Sequence, residues 1–391
     1  MKKALIAAAV AAALPAFAQA QTNVQLYGIA DLSAGMVDAG SGKNSAGATI
    51  EGGTEGALLS GVQSTSRFGI RGTEDLGGGL KAVFNFEAGI SADTGVSDSA
   101  GLFQRRSVVG VEGGWGSVVF GRDYTPGFSA AGVTDVMGYA FFGNWLNFTA
   151  GATQGTSIAG IAGIQTRASN GIHYKSQPFG NPKCMAYTSS TECNPFSGGL
   201  TFQLMYAMGE NFTSKNADAN EAYGGSVVYR GGPLTASGYW QSATQLVASN
   251  NTEVDVDQYG LGLGWNFGMF RVSGNWGEAK LKSASTLNPE AKNMAFGLGV
   301  GVQLGGGELL FNYINREIKG LSQFSEKPSA DTFGLAYTYP LSKRTNVYAS
   351  YGLTNNNSTG QFSLNYSQGV IPGNGIGADL QALVFGVRHQ F

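Results

Sequence analysis

The chain has 391 residues, of which 61 are Gly and only 10 Pro, with 23 Phe, 16 Tyr and 5 Trp beside 13% charged residues and 2 His. Its 24 Lys+Arg stand against 26 Asp+Glu, so it lacks the basic footprint that a nucleic-acid partner requires. Beyond the first twenty residues no apolar run reaches the roughly 20 residues of a transmembrane helix, which leaves a secreted soluble β-protein or an outer-membrane barrel.

At the N-terminus Lys2 and Lys3 precede the apolar run Ala4 to Leu14 and the small residues Ala18-Gln19-Ala20. This is the layout of a cleaved secretory signal peptide over residues 1–20, with residues 21–391 forming one mature domain. The pattern predicts about 16 strands, at 23–36, 63–74, 80–92, 103–113, 116–122, 168–176, 200–209, 221–230, 234–244, 257–267, 270–281, 292–304, 308–318, 331–340, 345–355 and 379–391. Alternation is clearest in the later ones. Tyr259, Leu261, Leu263, Trp265 and Phe267 share one face, and Gln258, Gly260, Gly262, Gly264 and Asn266 the other. Phe296, Leu298 and Val300 alternate in the same way with Gly297, Gly299 and Gly301, as do Phe333, Leu335 and Tyr337 with Gly334 and Ala336. A soluble sandwich needs bulky residues meeting from two sheets, and a face of glycines cannot supply them. A barrel with lipid outside and water inside requires this alternation.

The connectors alternate in length. Gly77-Gly78-Gly79, Gly113-Gly114-Trp115, Gly268-Met269 and Gly305-Gly306-Gly307 are brief, whereas 37–62, 211–220, 246–256 and 356–378 are long and polar. Short periplasmic turns facing long external loops are the layout of an outer-membrane barrel, with both termini in the periplasm and a lumen wide enough for water. The longest connector, Asp123 to about Thr166, carries Phe128, Tyr139, Phe141, Phe142, Trp145 and Phe148. So many aromatic rings fit water poorly, which favours a loop folded inward that narrows the lumen; the alternative is a loop packed outside or over a subunit interface.

The run from Ser66-Arg67-Phe68-Gly69-Ile70-Arg71-Gly72 through Glu74-Asp75-Leu76-Gly77-Gly78-Gly79-Leu80-Lys81 resembles a segment of the general porins of beta-proteobacteria and their neisserial relatives. So do Leu26-Tyr27-Gly28, Phe103-Gln104-Arg105-Arg106, Gly121-Arg122-Asp123-Tyr124-Thr125-Pro126 and the closing Gly386-Val387-Arg388-His389-Gln390-Phe391. The resemblance spans the mature chain. It implies an all-β transmembrane antiparallel barrel assembled as homotrimers, each barrel with its own pore constricted by the third external loop.

Alternation turns Phe68 and Ile70 to lipid and therefore Arg67 and Arg71 to the lumen, because a charge at the lipid midplane costs about 2–4 kcal/mol. The resemblance implies that Arg67, Arg105 and Arg167 form a basic wall; whether Arg105 or Arg106 points inward stays open. Asp123 and Asp135 are either the opposing acids of the constriction or solvated loop acids. Cys184 and Cys193, close together in an exported chain, favour a local disulfide over free thiols or a metal site. A final strand ending in Phe391 resembles the signal read by the barrel insertion machinery.

The expected activity is passive diffusion of small hydrophilic solutes and ions through a water-filled channel in the outer membrane, with anions preferred if the arginines dominate. The expected surroundings are lipid and lipopolysaccharide, with no cofactor, metal or nucleic acid. A closed barrel with an adhesive or structural role is the alternative. A barrel hydrolase would need a base within reach of a nucleophile, and His173 and His389 lie on separate strands without a serine motif.

Overall fold

The computed structural model describes residues 23–98, 101–149, 164–180, 198–209, 221–247, 252–283, 291–321 and 326–391. Sixteen strands form the wall: β1 (Asn23–Asp38), β2 in two pieces (Thr54–Ser60 and Arg67–Gly77), β3 (Leu80–Ser91), β4 (Arg106–Gly113), β5 (Gly116–Tyr124), β6 (Arg167–Ser176), β7 (Gly199–Ala207) and β8 (Ala222–Gly231). They continue as β9 (Leu234–Val247), β10 (Thr252–Asn266), β11 (Phe270–Ser283), β12 (Lys292–Leu304), β13 (Gly307–Lys319), β14 (Ser329–Pro340), β15 (Thr345–Asn356) and β16 (Leu380–Gln390). Each strand pairs antiparallel with its sequence neighbours, and β16 returns to β1 from Ile29–Gln390 to Asp38–Gln381. Closure removes every sheet edge, the condition for strands to lie in hydrocarbon.

Phe391 closes the ring at its end. Its N–H donates to the Gly28 carbonyl at 3.1 Å and its own carbonyl accepts from the Gly28 N–H at 3.0 Å. The outer face is apolar: Leu261, Leu263, Phe385, Val109 and Phe120 are all more than half exposed. Leu261 and Leu263 are residues that the alternation turned outward, and on this face exposure means contact with lipid.

Two connectors differ from the sequence-based expectation. Most of 246–256 is strand, because β9 runs to Val247 and β10 begins at Thr252. The span 37–62 is not one loop. Thr54–Ser60 pairs with Leu32–Asp38 of β1, while Arg67–Thr73 pairs with Asn23–Ile29 of the same strand. Residues 61–66 therefore form a break inside β2, and the β1 backbone opposite it at Asp31 loses its ladder partner. Ser66 repairs the gap: its Oγ accepts from the Asp31 N–H at 3.0 Å and donates to the Asp31 carbonyl at 3.0 Å, where the Gly61 N–H also donates at 2.9 Å.

The connector after β5 lies inside the barrel, as its aromatic content implied. Thr125 caps α1 (Pro126–Thr134), with Pro at its first turn and the Thr125 Oγ1 accepting from the Phe128 N–H at 3.2 Å. A short α2 (Leu146–Thr149) follows, and Phe142, Trp145 and Phe148 are at most 1% exposed. They rest on the small-residue face of the wall. A Cβ at Gly277 would collide with the Phe148 ring, one at Gly299 with Val136, one at Gly352 with Phe142, and one at Gly297 would lie 2.8 Å from Trp145. The glycines opposite the lipid-facing side chains are thus the bed of the inward loop more than a water-filled surface. The last long connector also folds inward, which the sequence did not indicate. It carries the pairing of Leu364–Asn365 with Val370–Ile371 and packs Leu364 and Ile371 in one buried cluster with Phe141 and Phe142.

Replacing Gly299 by Leu is expected to lift the inward loop from β12, at about 1–3 kcal/mol for overpacking. The barrel circular dichroism should stay while single-channel conductance changes and the loop becomes open to protease. Unchanged conductance would disprove the glycine bed.

Candidate channel constriction

The break in β2 begins the site. Arg67 restarts the strand, and the register sets further charged groups beside it on the next four strands. Arg67 pairs with Gly89 of β3, Glu87 of β3 with Arg106 of β4, and Tyr124 of β5 with Arg167 of β6. Arg105, just ahead of β4, donates from Nε to Glu87 Oε1 at 2.7 Å and from Nη2 to the Tyr124 hydroxyl at 2.9 Å. Arg167 Nη2 donates to the same hydroxyl at 2.8 Å. Arg67 lies 3.7 Å from Glu87 Oε1 through Nη1 and donates from Nε to the Thr65 carbonyl at 2.8 Å. Tyr27 donates to Glu87 Oε2 at 3.0 Å.

Arg67, Arg105 and Arg167 are therefore brought together around one carboxylate and one phenol. They line a cavity of about 420 Å³ with Arg122, whose Nη1 donates to the Ser169 hydroxyl at 2.8 Å. Asp98 is the acid on that lining, bonded by Gln104. Four guanidinium groups face two carboxylates, Asp98 and Glu87, which leaves two positive charges for an anion from solution to balance. Arg106 also points inward, on the same wall, and ion-pairs with Asp123 at 2.7 Å. Arg71 stands apart, about 13 Å closer to the short-turn end at roughly 3.3 Å per residue. It bonds Gln25 at 3.0 Å and lies over the Tyr27 ring at 4.9 Å.

The two loop acids sit differently from the sequence-based expectation. Asp123 is bound to the basic wall through Arg106 rather than facing it. Asp135 is 4% exposed and organises the loop from within: Oδ2 accepts from the N–H groups of Tyr139 at 2.9 Å and Trp145 at 3.1 Å, and Oδ1 from Met137 at 3.2 Å and Asn312 at 3.2 Å. The bond to Tyr139 braces that residue at φ 65°, and the Val62 carbonyl accepts from Phe141, at φ 63°; this left-handed conformation costs a bulky residue about 1–3 kcal/mol. The acid among the arginines is Glu87, which the sequence reading did not single out. Its signal was available, because Phe84 and Phe86 alternate with Asn85 and Glu87, so Glu87 shares the lumen face with Asn85.

The break also ties the two inward loops together. The Val62 carbonyl accepts from Phe141 of the first loop at 2.8 Å and from Ser367 of the last at 3.5 Å. Gln368 accepts from the Ser66 N–H at 2.9 Å and donates to the Ile90 carbonyl at 2.7 Å. Asn147 Oδ1 in α2 accepts from the Asn365 N–H at 3.0 Å. One opening in the wall thus anchors both segments that narrow the lumen. Cys184 and Cys193 lie outside the described residues.

A family model described as Gram-negative porin matches residues 7–359. The chain belongs to the Gram-negative porins. It is 36% identical over 404 aligned residues to outer membrane porin protein 32 of Delftia acidovorans, covering 100% of both chains. To an outer membrane porin protein of Bordetella pertussis it is 32% identical, covering 90% of this chain and 94% of that one. Among solved structures, the anion-selective porin from Comamonas acidovorans matches with a TM-score of 0.75 at 30% identity, over 95% of this chain and 100% of that one. This porin is thus an outer-membrane β-barrel channel for passive diffusion, with the inward loops and the arginine wall lining one cavity of its lumen.

Ser66→Ala leaves the buried N–H and carbonyl of Asp31 with fewer partners, at about 1–3 kcal/mol for an unsatisfied buried group. The expected outcome is a lower melting temperature of the detergent-solubilised barrel and noisier open-channel current. A melting temperature equal to that of wild type would mean that Ser66 does not seal the wall.

Proposed function

We propose that this porin prefers anions, and that Arg67, Arg105 and Arg167, with Arg71 further along the wall, set that preference. The observation that carries the reading is the charge balance at the arginine wall: Glu87 is the carboxylate in contact with the three-arginine cluster, through Arg67 and Arg105, and neither Asp123 nor Asp135 offers a free carboxylate there. Charges in a narrow, partly dry passage interact more strongly than in bulk water, so the uncompensated guanidinium groups favour anion entry and oppose cations. The anion selectivity of the Comamonas acidovorans porin supports the same sign.

The working unit on this reading is a homotrimer in lipid and lipopolysaccharide, acting as a channel and not as an enzyme. Residues 1–20 act as a signal peptide removed on export, Phe391 serves the insertion machinery, and Cys184 and Cys193 form a local disulfide in the oxidising compartment. Stepwise closure in threes during bilayer recording checks the trimer, and a barrel that inserts without conducting would favour the adhesive alternative.

In a KCl gradient across a planar bilayer the dilute side should become negative, the sign set by chloride. Arg105→Gln should lower the chloride-to-potassium permeability ratio roughly threefold or more, and Glu87→Gln should raise it. The preference should weaken as salt rises from 0.1 M to 1 M, because the screening length falls from about 10 Å to about 3 Å. A dilute side that turns positive overturns the anion reading.

A further inference from the structure

Three aromatic rings stand in one column beside the arginines. Tyr124, at the end of β5, stacks on Phe128 of α1 at 5.1 Å with 7° between the planes, and Phe128 stacks on Tyr139 at 4.3 Å and 16°. The Arg167 guanidinium covers the wall end, 4.3 Å from the Tyr124 centroid. Gly132 closes the other end, where a Cβ would collide with the Tyr139 ring. With their faces taken, the rings present their edges to the channel, and all three are only partly buried and line the same 420 Å³ cavity as the arginines.

The fold invests strain to complete this column. Tyr139 sits at a positive φ, its N–H held by Asp135 and its hydroxyl donating to the Phe128 carbonyl at 2.8 Å. A loop needing only bulk could narrow the lumen with unstrained aliphatic side chains. Ring edges carry the positive end of the aromatic quadrupole, so a flat π face laid against a row of edges makes edge-to-face contacts.

We propose that the column is a solute subsite and that, among organic anions, the channel favours aromatic carboxylates. The carboxylate meets Arg67, whose Nε is engaged by Thr65 while Nη2 has no bond among the described residues, and the ring lies on the edges of Tyr124, Phe128 and Tyr139. A cavity of this volume falls in the roughly 300–1,000 Å³ range of small-molecule sites. A small inorganic anion reaches the arginines but not both features at once. A saturated ring of equal charge and similar size lacks the edge-to-face term, which is worth about two- to tenfold in affinity.

This inference rests on the anion reading above, and the test separates the two. Chloride current through the purified full-length protein is recorded in planar bilayers while benzoate, cyclohexanecarboxylate or acetate is added, after the sign of the KCl reversal potential has been fixed. The expected result is a half-blocking concentration for benzoate two- to tenfold below that of cyclohexanecarboxylate, with acetate weakest. Phe128→Leu keeps an apolar side chain in α1 and should bring benzoate and cyclohexanecarboxylate level. Equal block by the two ring acids in the wild-type channel, a comparison that needs no variant, overturns the subsite while leaving anion preference intact. A cation-selective reversal potential overturns the anion reading and the subsite with it.

Discussion

The constraint on which this structure depends is that hydrocarbon offers no partner for a backbone N–H or carbonyl, so every strand must find both neighbours and the sheet must close. The wall meets it through sixteen antiparallel strands and the return of β16 to β1. Its local exception is the break at residues 61–66, and the exception is contained. Ser66 and Gly61 engage the Asp31 backbone, and the Tyr348 hydroxyl donates to Asp31 Oδ1 at 2.5 Å from the far side of β1. The backbone released from the ladder turns into the lumen, where it can bond to loops instead of to a strand.

That release explains why the constriction sits where it does. A loop inside a barrel needs flat wall to lie on and polar anchors to fix its height. Gly277, Gly297, Gly299 and Gly352 supply the wall, since a methyl group at any of them would strike a loop side chain. The anchors are the Val62 carbonyl, Gln368 and Asn147, so the first and last inward loops are bound to the same break and to each other. Displacing either loop disturbs the other, and the width of the passage is a property of the joint arrangement.

Most of the wall was legible in the sequence because a strand in this setting has two solvents, and period-two alternation is the direct record of that contrast. The strands predicted at 257–267, 292–304 and 331–340 appear as β10, β12 and β14, within five residues at every end. The inward course of the first long loop was legible from its aromatic content. The break in β2 was not, because Thr54–Ser60 is short and was read as part of a loop, while the strand was expected to start at 63, inside the break. The last loop was equally silent, since its docking depends on Ser367 and Gln368 meeting a break that has no sequence signature. Asp135 was misplaced for a related reason: its partners are mainly backbone N–H groups, those of Met137, Tyr139 and Trp145, and no side-chain pattern announces them. Glu87 differs, because the alternation already gave its face and only its arginine neighbours were missing.

The distribution of charge follows from where each carboxylate can find partners. Asp135 accepts three backbone N–H groups and one amide, and in doing so it is withdrawn from the passage to hold the loop. Asp123 is withdrawn by Arg106 on its own wall. Glu87 remains beside Arg67 and Arg105, close enough to keep like charges together but insufficient to neutralise them. Without Glu87 the guanidinium groups would repel one another in a poorly screened space; each further free acid among them would remove one unit of the excess. One carboxylate among three arginines holds the cluster in place and leaves its field unbalanced, and a passing anion can complete that balance without displacing any bond of the wall.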